Sequence, residues 1–145
     1  MISFFKNKEK NETQDSSYSR IAALLIHAAK IDEDYEKKEE DIIKETLIDL
    51  GAPISGIDKI MSDAIMIEEN SNQILDFTKE VKNVPDSDKI KIIESLWKII
   101  YSNDSADIYE TNLMRRLSGL LYVDARRMGD IKLKVKSKLN KWHTL

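Results

Sequence analysis

The sequence predicts an all-α fold, a single compact bundle of about seven helices. Of the 145 residues, 41% are hydrophobic and 34% are charged, whereas only four are glycine and two are proline. So few helix breakers, together with many leucine, isoleucine, lysine and glutamate residues, favour helices that have a charged outer face. Apolar residues also recur every three or four positions along most of the chain, and a helix–acidic turn–helix unit occurs twice.

The domain is predicted to span residues 19–145, behind a flexible polar arm at 1–18. Most of the arm is polar and aperiodic, which is typical of segments that do not join a packed core. Its apolar residues Ile2, Phe4 and Phe5 are expected to dock on the domain or to stay disordered. Membrane contact is disfavoured because stable anchoring of so short a patch needs a second signal.

The first two helices are separated by an acidic turn. The first begins at about Ser19, and its apolar stripe ends before Asp32. The second runs from about Lys37 to Leu50. Gly51 is placed to end it as the C′ residue, because glycine adopts left-handed backbone geometry without steric cost.

Five more helices follow from the same periodicity. The fourth starts from a cap at Asn70 or Ser71 and ends at the break Val84-Pro-Asp86. The fifth is apolar around so much of its circumference that it is expected to lie at the centre of the core. The third, fifth, sixth and seventh helices are predicted at about 54–67, 88–101, 108–121 and 125–142.

The first helix pair and the fifth–sixth pair align without a gap at an offset of 71 residues. Apolar positions coincide, as at Ile21 with Ile92 and at Leu25 with Leu96. Acidic or amide residues coincide at three further places: Asp32 with Asn103, Glu36 with Asp107, and Glu39 with Glu110. This recurrence predicts an internal duplication, in which two pseudo-symmetric helix–acidic turn–helix repeats make up the bundle.

Four stretches resemble the bacterial TerB-like proteins, which are associated with tellurite resistance. They are Ile21-Ala-Ala-Leu-Leu-Ile-His-Ala-Ala-Lys-Ile-Asp32, Leu75-Asp-Phe-Thr78, Leu96-Trp-Lys-Ile-Ile-Tyr-Ser-Asn103 and Glu110-Thr-Asn-Leu-Met-Arg-Arg-Leu-Ser-Gly-Leu-Leu121. That family carries an Ala-Asp-Gly-x-x-Asp-x-x-Glu turn before a helix in each of two repeats. Glu33 and Asp104 stand here where the family has the turn glycines. The resemblance covers residues 20–138 and implies a seven-helix bundle, cation binding by the acidic turns and a role in stress-response signalling.

The acidic turns themselves are also consistent with a cation site. Between residues 31 and 50 there are nine aspartate or glutamate residues and three lysines. Oxygen-only ligation suits a hard divalent cation, namely Ca²⁺, Mg²⁺ or Mn²⁺. The candidate ligands are Asp32, Glu36, Glu39, Asn103, Asp107 and Glu110.

Helix capping explains most of the same residues without a metal. Asp107 and Glu110 form a capping-box pattern, in which the aspartate accepts from an early helix N–H and the glutamate reaches back to the cap. Glu36 and Glu39 repeat that spacing with a poorer cap. Capping leaves Asp32 unexplained, so capping alone is the favoured interpretation of both turns but more strongly of the second.

Composition and motif content argue against several classes of function. The net charge of −3 argues against broad nucleic-acid binding, which needs a cationic surface. The absence of cysteine excludes disulfides, thiolate metal sites and cysteine nucleophiles. The two histidines, His27 and His143, belong to no zinc or di-iron motif, and no glycine-rich phosphate loop is present. A non-catalytic module is therefore expected.

The expected partners are proteins, and the expected location is the cytoplasm. No stretch is apolar over the 18 or so residues that a transmembrane helix needs, and no secretory signal is recognised. The last helix carries Lys132, Lys134, Lys136 and Lys138, whose alternation spreads them over several helix faces. A solvated helix is favoured over a docking face for an acidic protein or a membrane.

Overall fold

The computed structural model describes residues 17–30, 37–71, 75–102 and 108–143. Within these ranges the chain forms α-helices and no strand, so the predicted all-α class is confirmed. The helices are α1 (17–29), α2 (Lys37–Asp49), α3 (Ile57–Glu69), α4 (Leu75–Lys82), α5 (Asp86–Ser102), α6 (Ile108–Leu120) and α7 (Ala125–His143). None of these helices combines the length and the apolar composition needed to cross a membrane. The predicted arm lies almost wholly outside the described residues.

The core is built around α1 and α5. In α1 the run Ile21–Ile26 is buried at every position, so this helix is enclosed on all sides rather than on one face. In α5 buried residues likewise cover most of the circumference, and both α2 and α7 pack against it. A helix that is apolar all round belongs in the interior, and the predicted central place of α5 is confirmed.

Two helices end in the same hydrogen-bonded cap. After α2, Gly51 takes φ +112°, and the N–H of Ala52 donates to the carbonyl oxygen of Leu47 at 2.9 Å. After α6, Tyr122 takes φ +57°, and the N–H of Val123 donates to the carbonyl oxygen of Ser118 at 2.9 Å. Both are Schellman motifs, which satisfy the last helical carbonyls through a left-handed residue. The prediction for Gly51 is confirmed.

Tyr122 holds its left-handed conformation without the advantage of glycine. Its side chain is exposed and lies against Lys82, whose Nζ is 4.4 Å from the ring centroid. The hydrogen bond and the charge of Lys82 lower the pKa of the Tyr122 phenol. Interaction with α4 thus accompanies a backbone geometry that tyrosine seldom adopts.

The two Schellman residues lie 71 residues apart, which is the offset of the predicted repeat. The apolar pairs that define the repeat, such as Ile21 with Ile92, are also buried in both copies. Helical periodicity alone requires part of this agreement. The duplication therefore stays a prediction, now accompanied by matching helix ends.

The start of the third predicted helix was wrong in one respect. Ile54, expected on the buried stripe, is 72% exposed and lies in a short 3-10 turn, Ile54–Gly56, that precedes α3. Pro53 sets extended backbone ahead of this turn, with φ −70° and ψ 135°. The turn therefore points Ile54 to solvent, and the buried stripe begins at Ile57.

Polar contacts join α5 to its neighbours. The Thr46 hydroxyl on α2 lies 2.8 Å from the Ser95 hydroxyl on α5, and both side chains are buried. At the start of α5, the buried Lys89 donates from Nζ to the carbonyl oxygen of Leu121 at 3.0 Å. Lys91 donates in the same way to the carbonyl oxygen of Asp49 at 3.2 Å. Each lysine places a cation at a helix C-terminus, where it is favourable.

Candidate acidic site at the start of α2

The start of α2 lies against the end of α5. Lys38 donates from Nζ to the carbonyl oxygen of Ser102 at 2.7 Å. Two residues before Lys38 the chain enters from 31–36, and after Ser102 it leaves into 103–107. These are the two segments that carry most of the predicted ligands. This one contact therefore brings the end of the first segment and the start of the second to the same place on the bundle.

Glu39 is the one predicted ligand whose side chain the structure describes. It is 0% exposed, although it is charged in its usual ionisation state. It shares the buried face of α2 with Ile43, Thr46 and Leu47, at the helical spacings of four, seven and eight. Glu39 also takes part in a polar or electrostatic interaction. An inward-facing carboxylate thus stands where periodicity alone would place an apolar residue.

The other acids of α2 face outward. Glu40 and Asp41 lie within 3.8 Å and 3.4 Å of the ammonium group of Lys37. Glu40 also pairs with Lys44 at 3.1 Å. That hydrogen bond, with the nearby charges of Glu40 and Asp58, raises the pKa of Lys44. The acid density that the sequence shows after residue 36 is therefore largely a solvated, ion-paired helix surface.

The remaining predicted ligands lie outside the described residues or side chains. Asp32, Glu36, Asn103 and Asp107 belong to the segments 31–36 and 103–107, which the structure does not describe. Glu110 lies in the first turn of α6, with its side chain outside the description. Among the side chains that are described, no three of the His, Cys, Asp or Glu type come together. The ligand set stays a prediction, with Glu39 as its described member.

A family model for tellurite resistance protein TerB matches residues 19–133. The chain belongs to the TerB family. The match runs from α1 into α7, so it includes both acidic segments of this TerB-family chain and the buried Glu39. It confirms the family to which the sequence was assigned by resemblance. No curated protein and no solved structure showed significant similarity to the chain.

On the other side of the first acidic segment of this TerB-family chain, α1 is tied to α3. Lys30 is the last described residue before the segment, and its Nζ atom lies 2.7 Å from Glu68 Oε2. His27 Nδ1 lies 3.4 Å from Glu68 Oε1, and its ring is 5.9 Å from that of Phe77. His27 is thus a half-buried packing residue. Both chain ends of the segment 31–36 are held by ion pairs or hydrogen bonds.

Sequence reasoning missed the two contacts that fix this region of the TerB domain. Glu68 lies 38 residues from Lys30, and Ser102 lies 64 residues from Lys38. Periodicity shows which face of a helix is buried but not which helices meet. The available signal was the spacing of His27 and Lys30, which puts both on one side of α1.

Proposed function

We propose that this TerB-family helical module binds a divalent cation and catalyses no reaction. The cation is Ca²⁺, Mg²⁺ or Mn²⁺, and binding makes the module a sensor in tellurite-resistance-type stress signalling in the cytoplasm. The first acidic turn supplies the principal ligands, Asp32, Glu36 and Glu39. The second supplies Asn103, Asp107 and Glu110. All six are oxygen donors, which hard cations prefer.

The complete burial of Glu39 is the observation that carries the proposal. Moving a carboxylate out of water is unfavourable by several kcal/mol unless hydrogen bonds or an opposite charge compensate it. A divalent cation is the strongest such compensation available to an acidic segment. The inward position of Glu39 also separates it from Glu40 and Asp41, which pair with Lys37 and Lys44 at the surface.

The contact between Lys38 and Ser102 supports a site shared by both turns. Because the end of the segment 31–36 and the start of the segment 103–107 lie beside the two residues that this hydrogen bond joins, ligands from both can reach one ion. Ca²⁺ takes six to eight oxygen ligands, so carboxylates from two segments would complete its shell together with water and backbone carbonyls.

A metal-free role is the second candidate, and one observation favours it. Glu39 is the third residue of α2, the place at which a capping-box glutamate reaches back to the N-cap. In that case the module is a protein-interaction scaffold whose acidic turns only cap helices. On α7, Leu133 is 64% exposed and lies between Lys132 and Lys134 in the sequence.

Thermal unfolding with added cation separates the two functions. We expect the melting temperature to rise with Ca²⁺, Mg²⁺ or Mn²⁺, because a ligand at 100 times its Kd stabilises the native state by about 2.7 kcal/mol. For a chain of this length that corresponds to roughly 5 to 10 °C. Glu39→Gln keeps the capping geometry, since glutamine also serves in a capping box. It should leave the metal-free melting temperature nearly unchanged and remove most of the cation-dependent rise.

The matched control is Asp63→Asn, which removes an exposed acid from α3. It should melt and respond to cations as the wild type does. Asp32→Asn should abolish the response, and Asp107→Asn should reduce it less. A wild-type melting temperature that none of the three cations changes would remove the cation site and leave the capping role.

A further inference from the structure

A cleft of about 160 Å³ opens beside the first turn of α1. The end of α2 and the start of α5 form its other walls. The lining is mainly apolar and comes from Tyr18, Ile21, Leu50, Val84 and Ile92, with the Asp88 carboxylate as its charged group. The cleft is open to solvent on one side. It thus presents a concave apolar surface to water, which is unfavourable until something covers it.

The volume suits one aromatic ring. A cavity of about 150 Å³ lined by aliphatic and aromatic side chains accommodates benzene. The cleft therefore has room for a single phenyl group and not for a larger cofactor. A ring that enters would contact Ile21 and Ile92 on helices that already form the core.

The segment that joins the described chain at the cleft contains aromatic residues. Ser17, the first described residue of α1, is one of the lining residues, so residue 16 connects to the chain at the cleft. Phe4 and Phe5 are the aromatic residues in that segment. With Ile2 they form its apolar cluster, in a stretch that is otherwise polar.

The charges of the segment and the cleft are complementary. Lys6 directly follows Phe5 in the sequence. Its ammonium group carries the charge opposite to that of the Asp88 carboxylate in the cleft. The order aromatic, aromatic, cation thus matches an apolar cleft that has one carboxylate.

The chain between Phe5 and Ser17 is long enough for Phe5 to reach the cleft and short enough to keep Phe5 near it. Twelve steps along the chain separate Phe5 from Ser17, which spans at most roughly 40 Å when extended. A connection of this length holds its end at an effective concentration on the order of millimolar. A contact between one ring and the cleft is therefore mostly formed when its Kd lies below the millimolar range.

We propose that the cleft between α1, α2 and α5 is the docking site of the segment Phe4-Phe-Lys6, with one phenyl ring inside and Lys6 against Asp88. This intramolecular interaction is independent of the acidic turns, and it stands or fails without them.

The test compares the wild type with Phe4→Ser/Phe5→Ser in the full chain by amide NMR. We expect the signals of Val84, Asp88 and Ile92 to shift, because the ring current and the contact are lost. The signals of Gly119 and Gly129, on α6 and α7, should stay in place. The control Asn7→Ser/Asn11→Ser changes two polar residues of the same segment and should shift none of the cleft signals.

A peptide of residues 1–8 added to the double variant should bind saturably and return the cleft signals toward their wild-type positions. Adding Asp88→Asn to the double variant should weaken peptide binding by about two- to fivefold, the range of an exposed ion pair. Absence of both the shift and peptide binding would overturn the proposal.

Two other occupants give different results, and each would also overturn it. If the aromatic residues serve a membrane, vesicles of phosphatidylcholine and phosphatidylglycerol would retain the wild type but not the double variant, with unchanged cleft signals. If they enter a second copy of the chain, the cleft signals would depend on protein concentration. Signals that are independent of concentration and unaffected by vesicles are the expected outcome.

Discussion

Two residues with left-handed backbone, Gly51 and Tyr122, end α2 and α6. Both residues end a helix through a left-handed conformation, but the backbone strain of that conformation differs between them. An L-residue pays about 1 to 2 kcal/mol for left-handed geometry, whereas glycine does not. At Gly51 a side chain would meet a further obstacle, because an added Cβ lies 3.0 Å from the Tyr18 hydroxyl oxygen. That hydroxyl donates to the carbonyl oxygen of Leu50 at 3.3 Å, so α1 closes over the end of α2.

Gly51→Ala should destabilise the domain by about 1 to 3 kcal/mol, because the backbone conformation disfavours alanine and the Cβ crowds Tyr18. Urea unfolding followed by circular dichroism measures the change in the free energy of unfolding. The control is Gly129→Ala within α7, where an added Cβ meets nothing within 4 Å. It should stabilise the domain by about 0.5 to 1 kcal/mol. Equal effects from the two substitutions would contradict the role assigned to the left-handed turn.

Single residues differ in how far the sequence reveals them. Gly51 was predictable, because glycine after an amphipathic stretch indicates a C′ position. Tyr122 was not, because tyrosine carries no signal for a positive φ. Ile54 was misassigned, since its spacing fits the stripe but the proline before it changes the geometry of the turn. Glu39 was named as a ligand from its spacing, while its burial became evident only from the fold.

At the scale of elements, α2 packs directly against the central helix α5. Their buried contact includes the hydroxyl pair Thr46 and Ser95 as well as apolar side chains. The Thr46 hydroxyl also lies 2.8 Å from the carbonyl oxygen of Ile42 in its own helix. Buried hydroxyls contribute when they are paired and destabilise when one partner is removed.

A double-mutant cycle tests the Thr46–Ser95 contact. Thr46→Val leaves the Ser95 hydroxyl without this partner and should lower the free energy of unfolding by about 1 to 3 kcal/mol. Ser95→Ala should cost less, because Thr46 keeps its bond to Ile42. The double variant should be more stable than the sum of the single effects predicts, by about 1 kcal/mol.

The measurement is chemical denaturation of all four proteins under one buffer. Ser62→Ala, at an exposed position of α3, serves as the control and should change stability by less than about 0.5 kcal/mol. Strict additivity of the two single substitutions would show that the hydroxyls do not interact in solution.

At the scale of the whole molecule, the described helices share one core. Buried residues of α1, α2, α3, α4, α5, α6 and α7 belong to a single apolar cluster. A chain of this size with one core is expected to unfold in a single cooperative step. Trp97, on α5, is 4% exposed and reports on the centre of that core.

Cooperative unfolding predicts that two probes agree. In Trp142→Phe the fluorescence comes from Trp97 alone, since the chain has two tryptophans. Its urea midpoint should coincide with that of the helical circular dichroism signal. Separate midpoints would show that α5 and the outer helices unfold as different units, against the single core described here.

The fold was more predictable than the site, for a physical reason. Local periodicity of apolar residues indicates a helix, so the seven helices and the central place of α5 could be predicted from the spacing of apolar residues alone. The site depends on which elements meet, and the contacts of Lys30 with Glu68 and Lys38 with Ser102 join residues far apart in sequence. The high number of acidic residues near the turn was also a misleading signal for a cation site, because Glu40 and Asp41 form ion pairs with Lys37 at the surface.

Two lysine contacts give the α2–α5 pair a mechanical property. Lys38, near the start of α2, is bonded to Ser102 at the end of α5, and Lys91, near the start of α5, is bonded to Asp49 at the end of α2. Each end of the antiparallel pair is therefore held by one hydrogen bond between the two helices. A slide of one helix along the other by one helical turn, about 5.4 Å, would break both hydrogen bonds at once. The two hydrogen bonds therefore oppose a slide of α2 along α5 in either direction.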